Sequence, residues 1–331
     1  MRWNPLGRSK LPVSRIGLGL AALGRPGYMT LGHADDLRGA YDVEAMRAGA
    51  HAVLDAAWDA GVRYFDVARS YGRGEEFLAS WLAARAIDPD AVTVGSKWGY
   101  EYTAGWRVEA AQHEVKEHSE ARLERQWGES RALLGAQLDV YHIHSATLES
   151  GVLEDRAVLT RLARLRDAGV VIGLSVTGMR QAEVVRRALA ISIDGTALFG
   201  VVQATWNLLE RSAGEALAEA HAAGLGVIIK EGLANGRLTE RNVDPGFAAA
   251  QARLRGEAQR LDCTLDALAL AAILARPWAD VVLSGAATAA HLRANLAARS
   301  VRWDDPAEAA LAELAEPVER YWTTRAALAW N

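Results

Sequence analysis

The chain has 331 residues, 50% of them hydrophobic and 24% charged, which excludes disordered, collagen-like and coiled-coil classes and fits one α/β barrel domain over 1–331. Thirty-seven Lys and Arg against forty-one Asp and Glu leave a net charge of -4, with no block of like charges, so nucleic acid and anionic membrane are excluded as the main partner. One cysteine, Cys263, excludes an intramolecular disulfide and Cys-rich metal centres.

The opening Met1-Arg2-Trp3-Asn4-Pro5 has no apolar core of a secretory signal. The longest apolar run, Ala267 to Ala275, is about half of the ~20 residues that span a bilayer. A cytoplasmic protein is expected. Pro5, Gly7 and Pro12 within Arg2–Pro12 predict a short hairpin ahead of the first main strand. Apolar and β-branched runs then predict strands at Ile16–Leu20, Val62–Val67, Val92–Lys97, Leu138–His144, Val170–Ser175, Gly200–Ala204, Gly226–Lys230 and Val281–Ser284. Helix-like stretches separate them, as at Leu159, Leu162, Ala163 and Leu165, where Gly169 signals a stop.

Such alternation predicts βαβ units with a parallel sheet, and about eight repeats without a linker favour a closed (β/α)8 TIM barrel. No Gly-x-Gly-x-x-Gly opens a first helix, which argues against a Rossmann domain. Asp304–Asn331 is expected to add an extra C-terminal helix and a tail. The long connections Gly24–Asp42 and Trp98–Ser119 are expected on the C-terminal face, where barrel sites are built.

Most of the predicted strands finish in a polar residue: Asp66, Lys97, His144, Ser175, Gln203, Lys230 and Ser284. A buried polar strand end costs desolvation unless a partner or ligand compensates it, so this recurrence reads as a site. The sharpest group is Asp66, with Tyr71 five residues on, then Lys97 and His144. An ammonium beside a phenol favours the phenolate, the carboxylate would hold the lysine, and an imidazole can orient a carbonyl oxygen. His142 and His144 point the same way on one strand, and spacing prefers His144 as nearer the C-terminal end.

At these residues the chain resembles the aldo-keto reductase family. The likeness runs through Ile16-Gly17-Leu18-Gly19, Phe65-Asp66 to Tyr71-Gly72, Ser96-Lys97, Asp139 to His144, Ile172-Gly173-Leu174-Ser175, Gln203 to Leu209 and Gly285 to Asn295. The resemblance implies a catalytic tetrad of Asp66, Tyr71, Lys97 and His144, with Tyr71 as general acid/base. It implies a nicotinamide cofactor, NADP(H) by family default with NAD(H) as the alternative, and no metal. Gly19, Ser175, Gln203, Lys230, Gly232, Leu233 and Asn235 would contact that cofactor. Gly285, His291 and Asn295 would hold its adenosine end. Two departures stand out: Val176 follows Ser175 where the family has Asn, and Lys230 replaces the aromatic residue that stacks on the nicotinamide.

Of the eleven tryptophans, Trp98, Trp106 and Trp206 are expected to cover the substrate, a small carbonyl or alcohol compound. The leading reading is an NAD(P)H-dependent reductase of aldehydes or ketones, or the same chemistry run as alcohol or sugar oxidation. A cofactor-binding sensor with little turnover and a barrel lyase or isomerase are the alternatives. Oligomeric state is not legible in the sequence.

Overall fold

The computed structural model describes residues 3–331. Eight parallel strands close into a barrel: β1 (Ile16–Gly19), β2 (Tyr64–Asp66), β3 (Thr93–Trp98), β4 (Leu138–Ala146), β5 (Val171–Val176), β6 (Val201–Thr205), β7 (Gly226–Lys230) and β8 (Val281–Ser284). Each strand lies beside its sequence neighbours and β8 pairs with β1, through Val282 opposite Ile16. The predicted barrel is thus the observed one. The expected N-terminal hairpin is also present, pairing Asn4–Pro5 with Pro12–Val13; Arg2, where its predicted range begins, lies outside the described residues.

The hairpin plugs the bottom of the barrel. Leu6 and Val13 are fully buried and pack with the inward-facing Tyr64, Val140, Val201, Ile228 and Val281, the layered filling expected of a closed eight-stranded sheet. Gly7 has φ +51 and lies against the backbone of Gly226, where a Cβ would come within 2.2 Å of the Gly226 nitrogen.

Above this layer the interior turns polar. The His142 imidazole enters the barrel between β3 and β5, where Gly95 and Gly173 leave room for it. A Cβ on Gly173 would lie 2.4 Å from His142 Nδ1, and a ring enclosed by a closed sheet cannot swing away. Gly173→Ala is therefore expected to destabilise the protein by about 1–3 kcal/mol, read as a lower urea midpoint at unchanged m-value. A neutral effect would show that the interior is less tightly packed than described.

Helices cover the outside. Val43–Asp59 starts at Asp42, whose carboxylate accepts the Ala45 N–H at 2.9 Å, and buries Met46, Ala50, Val53, Leu54 and Ala57 at helical spacing. Strand alternation sends Lys97 inward and Ser96 outward, to donate to the buried Glu75 carboxylate, which also accepts from Arg69 and Ser130.

Four details go beyond or differ from the sequence expectation. The C-terminal extension holds two helices, Asp305–Ala312 and Val318–Ala326, because Pro317 cannot continue a helix. The connection after β3 folds as a hairpin of Tyr100–Tyr102 with Glu114–Lys116, and the connection after β1 contains the short helix His33–Leu37. Trp98 belongs to β3 itself.

Candidate active site

A cavity of about 960 Å³ opens at the C-terminal face. It runs from Asp66, Tyr71 and His144 past Gln203, Lys230 and Asn235 to Gly285, His291 and Asn295. At its inner end Lys97 Nζ donates to an Asp66 carboxylate oxygen, to the Val67 carbonyl at 3.1 Å and to Tyr71 Oη at 3.3 Å. The second Asp66 oxygen accepts from Gln203 Nε2 at 2.8 Å and from Tyr64 Oη at 3.4 Å. Asp66 and Lys97 are almost fully buried, so this carboxylate holds the lysine with all its own acceptors engaged. The His144 ring stands edge-on to Tyr71, centroids 5.6 Å apart, and to Tyr100 at 4.9 Å.

Two glycines aim the tyrosine. Gly72 adopts φ +58, and a Cβ there would come 2.4 Å from the Gly24 carbonyl oxygen; a Cβ on Gly24 would come 2.2 Å from the Tyr71 carbonyl. The loop after β1 thus packs directly on the Tyr71 turn, tied by Arg73 N–H to the Gly24 carbonyl at 2.8 Å. That contact sets the Arg25 guanidinium 5.2 Å from the Tyr71 ring centroid and 4.7 Å from that of Trp330, while it pairs with Glu114.

Burial and the Asp66 charge push the Tyr71 phenol well above its ordinary value, against the opposing pull of Arg25. The expectation that the lysine drives Tyr71 toward phenolate is corrected here, because burial outweighs the ammonium; the phenol is held protonated. Burial, with Lys97 and Lys230 adding to it, depresses His144 far below the usual histidine range and keeps the imidazole neutral.

At the end of β7, Lys230 Nζ donates to Thr205 Oγ1 at 2.9 Å and lies 3.7 Å from Glu231. Glu231 is itself gripped by both arms of Arg325, from the last helix. Burial pushes the Glu231 carboxyl up, but Arg325 and Lys230 together overcome it and hold it at about 2. Lys230 is lowered to about 8, by burial first, against the raising effect of Glu231.

Most of the expected cofactor residues line the cavity: Gly19, Gln203, Lys230, Gly232, Leu233, Asn235, Gly285, His291 and Asn295. Ser175 does not; its Oγ accepts the Ser145 N–H at 2.7 Å, and Ser145 lines the cavity in its place. The expected tryptophan cover is corrected. Trp98 points out of the barrel into the helix-facing core, as alternation after Lys97 requires. Trp106 donates to the Tyr41 carbonyl at 2.6 Å and packs on Phe77, and Trp206 is wedged between Trp278 and the guanidinium of Arg276. The aromatic cover is Tyr28, Tyr100 and Trp330, with His113 stacked on Trp330 at 4.0 Å.

The cavity suits an elongated dinucleotide. Gly19 and Gly285 place no side chain in it, nothing lies within 4 Å of a Cβ built on Gly285, and the buried Oδ1 of Asn235 has no partner in the protein. No cluster of metal-ligating side chains occurs among the described residues.

A barrel with an acid, a phenol, an ammonium and an imidazole at its C-terminal mouth defines an oxidoreductase scaffold for carbonyl and alcohol chemistry. The family model described as "Aldo/keto reductase family" matches residues 15–316, and the chain belongs to that family. It is 24% identical over 322 residues to the uncharacterized oxidoreductase YqkF of Bacillus subtilis (strain 168), covering 91% of this chain and 92% of that one. It is 29% identical over 216 residues to pyridoxal 4-dehydrogenase of Microbacterium luteolum, covering 56% and 57%. The holo form of aldo-keto reductase AKR11C1 from Bacillus halodurans superposes with a TM-score of 0.71 at 21% identity, covering 96% of this chain and 97% of that one. No helix among the described residues is long and apolar enough to cross a membrane.

Proposed function

We propose that the protein interconverts a small carbonyl compound and its alcohol with a nicotinamide cofactor, Tyr71 acting as general acid/base. The observation that carries this reading is the Asp66–Lys97–Tyr71 chain beside His144 at the closed end of the long cavity. The bound nicotinamide supplies a hydride to the carbonyl carbon, or takes one back. Tyr71 Oη gives its proton to the carbonyl oxygen as negative charge develops there, and Lys97 stabilises the phenolate that results. Neutral His144 holds the oxygen on the Tyr71 side by hydrogen bonding. Tyr28, Tyr100 and Trp330 cover the reacting centre and exclude water.

Asn235, Gly232 and Leu233 would carry the pyrophosphate, and His291 and Asn295 the adenosine end. NADP(H) is the family default and NAD(H) the competitor, and the charge balance at that end is what separates them. Arg241, a residue outside the sequence expectation, donates to Asp36 and to His291 Nε2, at 2.8 and 3.1 Å. A 2′-phosphate has to win Arg241 from Asp36. Asp36→Asn is accordingly expected to improve NADP(H) affinity about tenfold relative to NAD(H), by freeing a guanidinium for a charge-assisted bond. Tryptophan fluorescence titration with both cofactors checks it, and an unchanged ratio would place the 2′ position elsewhere.

The function is tested by following NADPH and NADH absorbance with aromatic, aliphatic and sugar aldehydes, and NADP+ and NAD+ reduction with the matching alcohols. Turnover that disappears in Tyr71→Phe supports the reading. Tight cofactor binding with no turnover on any substrate would favour a cofactor sensor.

A further inference from the structure

The chamber around Tyr71 contains an unbalanced charge. Three ion pairs close on themselves there: Arg25 with Glu114, Lys97 with Asp66, and Arg325 with Glu231. Lys230 is left over. Its hydrogen bond goes to the neutral Thr205 hydroxyl, and the acid nearest to it, Glu231 at 3.7 Å, is already held by both arms of Arg325. The four cations thus face three anions, and the surplus positive charge belongs to a side chain that lines the same cavity as Tyr71, His144 and Gln203. The His144 imidazole opposite is neutral and adds no further charge.

A nicotinamide that exchanges hydride with a carbon held at Tyr71 has to lie in this chamber. Its ring is cationic when oxidised and neutral when reduced, so a nearby fixed positive charge disfavours only the oxidised form. We infer that Lys230 acts as an electrostatic bias on the bound cofactor, weakening the oxidised form relative to the reduced form and tilting the equilibrium on the enzyme toward alcohol oxidation. This rests on the nicotinamide reading above.

In that direction the alcohol carbon would give its hydride to the nicotinamide, and the hydroxyl proton would pass to Tyr71 Oη after the phenol has released its own proton to solvent, as the C–O bond becomes C=O.

The groups facing Lys230 are Thr205 on β6, Glu231 on its own segment, Arg325 on the last helix, and Asp66, Lys97 and His144 across the barrel. Lys230 is the one placed to lose its proton near pH 8, with Tyr71 held far above and His144 far below. Its charge, and with it the bias, is present below that pH and fades above it.

The test is the ratio of dissociation constants, oxidised over reduced cofactor, by fluorescence titration in a Tyr71→Phe background that cannot turn over. At pH 7 Lys230→Met is expected to lower that ratio about tenfold, the size of a single-charge interaction in a partly screened site. Lys230→Arg should keep it high at every pH. The Lys230-containing protein alone should show the ratio falling between pH 7 and 9.5, which keeps the proposal testable where Lys230→Met does not fold. A ratio unchanged by Lys230→Met, or flat with pH while Lys230 is present, overturns the proposal and leaves the reductase reading standing. Failure of both cofactor forms to bind overturns the reductase reading and this inference with it.

Discussion

Tyr71→Phe is expected to lower turnover by about 10²–10⁴-fold, the range for loss of a positioned general acid, while cofactor affinity stays within about twofold. The substitution removes one oxygen. The ring keeps its place, because Arg25 lies over it, His144 stands against it and the Gly24–Gly72 contact fixes the turn that carries it. Lys97 loses a contact of 3.3 Å but keeps Asp66 and the Val67 carbonyl, so the stability of the chamber is preserved. Steady-state rates in both directions, with fluorescence titration of cofactor, separate the two expectations. A variant that retained most of its turnover would falsify Tyr71 as the proton donor.

The barrel was legible because its signals are local. Each strand is a short apolar run, all but the first carrying a polar residue at or near its end, and the intervening segments have helical spacing. The same rule that made the strand ends readable, a polar group at the rim of a packed tube, placed Asp66, Lys97 and His144 in one chamber. Lys230 and Gln203 share that rim, yet only contacts across the barrel reveal that Gln203 donates to Asp66 and that Lys230 shares Glu231 with Arg325.

What the sequence could not convey depends on long-range packing. Arg25 and Glu114 are 89 positions apart, and Arg325 and Glu231 are 94 apart; no pattern along the chain pairs them. Trp330, next to the last residue, reads as tail and becomes a wall of the cavity through Arg25 and His113. The tryptophans misled for a related reason. Trp98 lies one residue beyond the expected strand end and so reads as loop, although alternation after an inward Lys97 already turns it outward. The proton affinity of Tyr71 does not follow from its charged neighbour alone, since its burial is visible only in three dimensions.

Lys97→Met is expected to remove activity and to cost about 3–5 kcal/mol of stability, the usual penalty for stripping one partner from a buried ion pair. The Asp66 carboxyl would remain in the chamber with only Gln203 and Tyr64 as donors, at 2.8 and 3.4 Å. The Tyr71 phenolate formed in reduction would lose its one stabilising cation within hydrogen-bond reach, so kcat should fall even at temperatures where the variant is folded. Adding Asp66→Asn to Lys97→Met removes the orphaned carboxyl, and the double variant is expected to regain most of the lost stability without regaining activity. Urea unfolding and steady-state kinetics on the single and double variants make the comparison. If stability and activity returned together, the lysine would be a structural partner of Asp66 and nothing more; if only stability returns, Lys97 acts on the chemistry through Tyr71.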